Sequence, residues 1–168
     1  MFAISLYEMC PSPERDQSTT AAAIIAISEF LSHHPESAQR DYFLEMTRDL
    51  TWRMEERSYL NAYTYYKILR YDSAIVAFRN ALKKYPDSHR REDIMYYIAM
   101  SAYKFADNSV ASKQADRFMD MLDSYYSFVM EYPESKYREE LDKAAEVAKR
   151  YIEKRKADEA SAASAEAT

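Results

Sequence analysis

Two short stripes of aromatic and basic residues have the types and spacing that suit recognition. Tyr59, Tyr63 and Tyr66 fall at i, i+4 and i+7 with Lys67 beside them, and Tyr96, Met100 and Tyr103 with Lys104 repeat the arrangement. On a helix such offsets share one face. Phenol rings edged by lysine offer stacking surface, hydroxyls and positive charge, which suits an extended peptide or a C-terminal carboxylate. The same stripe would also serve inter-helix packing, because Tyr combines a large apolar face with a hydroxyl that needs a partner. Both roles stay open for Tyr63 and Tyr66. Packing is the expectation for Tyr65 and Tyr97; on the groove reading Tyr65 is buried, while Tyr63, Tyr66 and Tyr103 keep exposed ring surface. The basic run Arg48, Arg53 and Arg57 is either a solvated face paired with Glu45 and Glu56 or a docking strip for another subunit.

Covalent and metal chemistry lack candidates. His33 and His34 are adjacent, so on a helix they point about 100° apart and cannot chelate one metal from one face. His89 is isolated, and Cys10 is the single cysteine, which excludes an intrachain disulfide; no spacing brings a Cys-His or Ser-His-Asp arrangement together, so nucleophilic catalysis has no candidate. Glu55-Glu56 and Glu139-Glu140 read as helix-surface charge. The 168 residues contain no Gly, and phosphate-cradling loops, dinucleotide fingerprints, nucleophile elbows and EF-hand loops all depend on it. The expectation is a protein with no catalytic residue, metal or cofactor. With 23 Lys plus Arg against 28 Asp plus Glu, the net charge of −5 argues against nucleic acid as a partner. The longest apolar run, Ala21 to Ile27, is far short of the roughly 20 residues that span a bilayer. Residues 1–10 lack the basic start of a secretion signal.

The elements that position these stripes are marked by a recurring tetrapeptide. His34-Pro35-Glu36-Ser37, Tyr85-Pro86-Asp87-Ser88 and Tyr132-Pro133-Glu134-Ser135 each close an apolar helical pattern. Eleven residues before each Pro stand Ile24, Ile75 and Leu122; eight before, Ile27, Phe78 and Tyr125; four before, Leu31, Leu82 and Val129. These offsets define one helical face, and three copies at one phase define a repeat. Pro ends the first helix, the carboxylate suits the positive end of the next, and Ser is expected to cap it. Tyr66-Lys67-Ile68-Leu69 matches Tyr103-Lys104-Phe105-Ala106, so the unit is a helix pair.

In the middle unit Ala62, Tyr65, Ala74, Phe78, Ala81 and Pro86 fall at the offsets of the 34-residue tetratricopeptide pattern, with Ala62 and Leu69 at its glycine positions. Ala62, Ala74, Phe78, Ala81 and Leu82 are expected to be buried at that helix crossing. The fold expected is an all-α, tetratricopeptide-like (TPR) right-handed helical-repeat solenoid. Its helices lie near residues 1–9, 19–33, 37–70, 73–84, 89–106, 115–131 and 136–153, with longer loops at 10–19 and 107–116. Residues 1–152 form one domain of about three helix pairs and a capping helix, and 153–168 a disordered Ala, Ser and charged tail. Met1 stands on a helix already under way, as in a chain that starts inside a longer domain.

Ser12-Pro13-Glu14-Arg15-Asp16-Gln17, Tyr65-Tyr66-Lys67, Asn108-Ser109-Val110 with Lys113-Gln114, and Tyr125-Tyr126-Ser127-Phe128 look like motifs of a known family. Over about residues 1–150 the chain resembles the BamD family, the tetratricopeptide lipoproteins of the β-barrel assembly machinery, in a Bacteroidetes-like form lacking the N-terminal part. The resemblance implies a scaffold in outer-membrane protein assembly. Its partners would be protein: the barrel component, other subunits and unfolded outer-membrane substrates. It also implies the periplasmic face of the outer membrane, with a lipid anchor upstream of this chain and distinct from Cys10. The alternative is a free-standing TPR peptide receptor or co-chaperone adaptor.

Overall fold

The computed structural model describes residues 2–166, with side chains as far as residue 162. In chain order the helices are α1 (Phe2–Glu8), α2 (Ser18–His33), α3 (Arg40–Lys67), α4 (Tyr71–Lys84), α5 (Arg91–Asp107), α6 (Ala111–Glu131) and α7 (Arg138–Glu166). No strand occurs among the described residues. With Gly absent, the five Pro carry most of the punctuation, and all of them lie between helices.

The three Pro-acid-Ser turns share one hydrogen-bond scheme. The preceding helix closes as the N–H of His34, Tyr85 and Tyr132 donates to the carbonyls of Phe30, Ala81 and Phe128. Ser37, Ser88 and Ser135 then accept at Oγ from the N–H two residues on: Gln39 at 3.3 Å, Arg90 at 3.2 Å and Tyr137 at 3.1 Å. The serine therefore orders a turn ahead of the helix rather than capping it. The next helices begin three residues later, at Arg40, Arg91 and Arg138, instead of near 37, 89 and 136. Each of these arginines donates back to the carbonyl of its own Pro, at 3.4, 2.8 and 3.1 Å. The repeat mark is thus Pro-acid-Ser-x-x-Arg, and the arginine was legible in all three copies.

The chain packs as two compact units, Met1–Asn61 and Ala62–Thr168. Helix α3 runs through the boundary. In the first unit Ala23 and Ile27 of α2 meet Phe43, Met46 and Leu50 of α3, with Ala3 of α1. In the second, α5 packs against α4 and α6, and α7 closes on α5 and α6. Its core includes Ala99, Met100, Phe118, Met121, Phe128 and Leu141. Ala62, Ala74, Phe78 and Ala81 are buried as expected, and Leu82 is partly buried. Of the three aligned positions eight before each Pro, Ile27, Phe78 and Tyr125 are all buried.

Helix α3 ends at a left-handed residue. Leu69 has φ 63°, the Arg70 N–H donates to the Tyr65 carbonyl at 2.9 Å, and the Leu69 N–H donates to Tyr66. This is a Schellman ending with leucine where glycine is usual. The expected loop over 107–116 shrinks to 108–110, because Val110 adopts an extended conformation and the Ala, Ser, Lys and Gln after it continue as helix α6. The expected disordered tail is helical through Glu166, since its Ala, Glu, Lys and Arg favour helix and no Gly or Pro interrupts them. Residues 167 and 168, and the helix expected at Met1, lie outside the described residues.

Candidate protein-docking face

Within the second unit, aromatic rings from α3, α4, α5 and the turn before α7 form a continuous path. Tyr66 lies edge-on to Tyr71 and to Tyr97, at 5.7 and 4.9 Å between ring centroids. Tyr63 meets Tyr97 at 5.0 Å, and Tyr97 stacks on Phe78 at 5.6 Å. Tyr97 leads to Tyr96, which stacks on Tyr137, the residue just ahead of α7, at 4.0 Å. The hydroxyls are matched reciprocally across α5 and α7: Tyr96 donates to Glu140 at 2.8 Å, and Tyr137 donates to Asp93 at 2.6 Å. Both pairs are three residues apart, 93 to 96 on α5 and 137 to 140 across the start of α7, so each side supplies a phenol and a carboxylate to the other. Burial, the hydrogen bond to the carboxylate and its charge push both phenols above the ordinary tyrosine range.

Tyr63 and Tyr66 are half-buried, and exposed Lys67 places its Nζ 5.1 Å from the Tyr63 ring centroid. Burial, then the neighbouring Tyr71 and Glu140, raises the Tyr66 phenol. Tyr103 is half-buried with the Lys104 Nζ 5.5 Å from its ring. Helix α3 thus shows two rings and a charge on one edge, beside the buried Ala62.

Three members of the expected stripe are not surface residues. Tyr59, Tyr96 and Met100 are buried, and Tyr96 and Met100 belong to the core of the second unit. The i, i+4, i+7 spacing identifies one face but does not say which part a neighbouring helix covers; α7 covers Tyr96. Tyr65, expected to be buried, is 43% exposed on the far side of α3. Tyr97 packs, as expected. Tyr137, just ahead of α7, completes the ring path; its signal was its place two residues after the third repeat serine.

The basic strip divides. Arg48 is exposed. Arg53 pairs with Asp49 at 2.7 Å, donates to the Cys10 carbonyl at 3.0 Å and lies over the Tyr7 ring, whose hydroxyl donates to Asp49 at 3.0 Å. Arg57 donates to the Glu14 carbonyl. These two arginines hold the loop between α1 and α2, so they are internal ties of the first unit rather than a free strip. Buried Gln17 completes that loop, donating to the carbonyls of Ser12 and Arg15 and accepting from Thr20. Cys10 donates its thiol to the Leu6 carbonyl at 3.1 Å, a structural role.

The family model YfiO, outer membrane lipoprotein, matches residues 49–158, from the second half of α3 into α7, which is most of the chain. This chain belongs to the YfiO family. The matched span contains the entire aromatic face, and the tetratricopeptide-like helical repeat is the fold of YfiO proteins. Arg53 and Arg57 fall inside it, whereas Arg48, α1, α2 and their loop precede it. Among curated proteins none matches the chain. No helix among the described residues is long and apolar enough to cross a membrane.

Proposed function

We propose that this YfiO-family chain is a non-catalytic scaffold of outer-membrane β-barrel assembly, a BamD-type, Bacteroidetes-like lipoprotein at the periplasmic face of the outer membrane. On this reading it docks the barrel component and other subunits and receives segments of unfolded outer-membrane proteins. The half-exposed face of Tyr63 and Tyr66 edged by Lys67, lying inside the family span, is the observation that carries it. Half-buried rings keep part of their apolar surface for a partner, and the hydrogen-bonded carboxylates at Asp93 and Glu140 hold α5 and α7 in place beneath it. Lys67 and Lys104 supply the positive charge for a substrate's terminal carboxylate, an attraction that weakens as salt rises. Binding of peptides from outer-membrane barrel C-termini to the wild type and to a Lys67→Ala, Lys104→Ala double variant tests this. The expected outcome is weaker, less salt-sensitive binding at unchanged helicity. Equal binding and equal salt dependence would remove the lysines from the site.

A further inference from the structure

Helices α4 and α6 each pack along α5 and leave a cleft between themselves. Two adjoining hollows of about 280 and 290 Å³ form it, sharing Arg79 of α4 and Asp123 of α6. Their floor is α5, through Met95 and Ile98 in one hollow and Ala102 and Phe105 in the other. Those four positions lie nearly half a turn around α5 from Asp93, Tyr96 and Met100, so the cleft is distinct from the aromatic face. Leu82 and Ile75 of α4 make the near wall apolar.

The charges at its rim are unbalanced. Asp72, Asp120 and Asp123 face Arg79 and Arg117. Arg117 is already engaged, its guanidinium 3.8 Å from the centre of the Phe105 ring and bonded to Ser109. Among the described residues Arg79, Asp120 and Asp123 enter no ion pair. The uncommitted charge is therefore negative, and concentrated on the α6 side. Each hollow is too small for a helix about 10–12 Å across, whereas the two together are in the range of about 300–1,000 Å³ that holds a compact ligand or a few side chains.

We propose that the α4/α6 cleft is a second docking site, for an extended segment of a partner protein that places two apolar side chains in the hollows and a Lys or Arg against Asp120 and Asp123. Side chains two apart on an extended segment point the same way, so such a pair turns both apolar groups toward the α5 floor of the cleft. The cation then takes the place of the missing ion pair at the α6 rim.

The probe is a fluorescent, end-blocked peptide in which Leu and Phe stand two apart and are flanked by Lys, compared with its Glu-flanked counterpart by anisotropy on the full chain. The Lys peptide binds more tightly, and an Asp120→Lys, Asp123→Lys double variant weakens it by about tenfold or more while favouring the Glu peptide. Ser127→Trp, a change on an exposed wall position, blocks both. The Lys67→Ala, Lys104→Ala variant binds the Lys peptide as the wild type does, which separates this site from the aromatic face. No binding of the Lys peptide up to about 1 mM, equal affinity for the two peptides, or indifference to the charge reversal at unchanged helicity would overturn the proposal.

Discussion

Asp93 shows how single side chains hold the second unit together. Burial alone would raise its carboxyl, but hydrogen bonds from Tyr137 and Arg90 and the charge of Lys136 outweigh that and hold it below the ordinary aspartate range. A carboxylate depressed in the folded state contributes stability above its unfolded value of about 3.9, and that contribution is lost as pH falls through the folded value. Tyr137→Phe is therefore expected to lower stability at neutral pH by about 1.5–3 kcal/mol, the range for a hydrogen bond to a charged group. The deficit shrinks once Asp93 is protonated. Denaturant unfolding of both proteins at about pH 7 and pH 2 measures it: an undiminished deficit in acid would show that the hydroxyl's contribution does not depend on the Asp93 charge, and no deficit at either pH would assign the contact to ring packing on Tyr96, which the phenylalanine retains.

Leu69 governs the meeting of α3 and α4. Its left-handed backbone costs a non-glycine residue roughly 1–2 kcal/mol, and the side chain recovers little, being 67% exposed. Leu69→Gly removes that strain while adding about 0.5–1 kcal/mol of unfolded-state entropy, so the net expectation is a gain of up to about 1 kcal/mol. Thermal melting decides: a lower Tm would mean that the leucine side chain contributes packing that its exposure hides. The position coincides with a glycine position of the tetratricopeptide pattern, which gives that pattern its physical content here. The turn needs positive φ, and this chain supplies it without glycine.

Across the molecule, stability follows burial rather than helix length. Residues 153–162 of α7 are exposed and join neither core. Ending the chain after Ile152 is expected to leave Tm unchanged while reducing the helical circular dichroism in proportion to the lost segment. Unchanged ellipticity would return residues 153–166 to the disordered reading, and a lowered Tm would reveal a packing role. Helix without burial is marginal in water, because most helical stability in proteins comes from an apolar face packed on a neighbour.

Local, periodic features were readable from the residues alone. Apolar offsets and the three Pro-acid-Ser marks specified α-helices, their order and the buried faces at Ile27, Phe78 and Tyr125, because turn chemistry and a 3.6-residue period act within a few positions along the chain. The same reasoning put Tyr63, Tyr66 and Lys67 on one helix edge, where the two rings are half-buried and the lysine is exposed. Tyr96 and Met100 lie in the core rather than in a groove, and Tyr65 is exposed rather than buried, because a helical stripe carries no information about the helix that covers it; for Tyr96 that helix is α7, starting more than thirty residues later. Arg53 and Arg57 looked like a free strip for the same reason, since their carbonyl partners lie 43 residues away in sequence. The α4/α6 cleft belongs wholly to the tertiary structure: two helices that each satisfy their apolar face on α5 leave a space between them, and no periodicity along either helix records it.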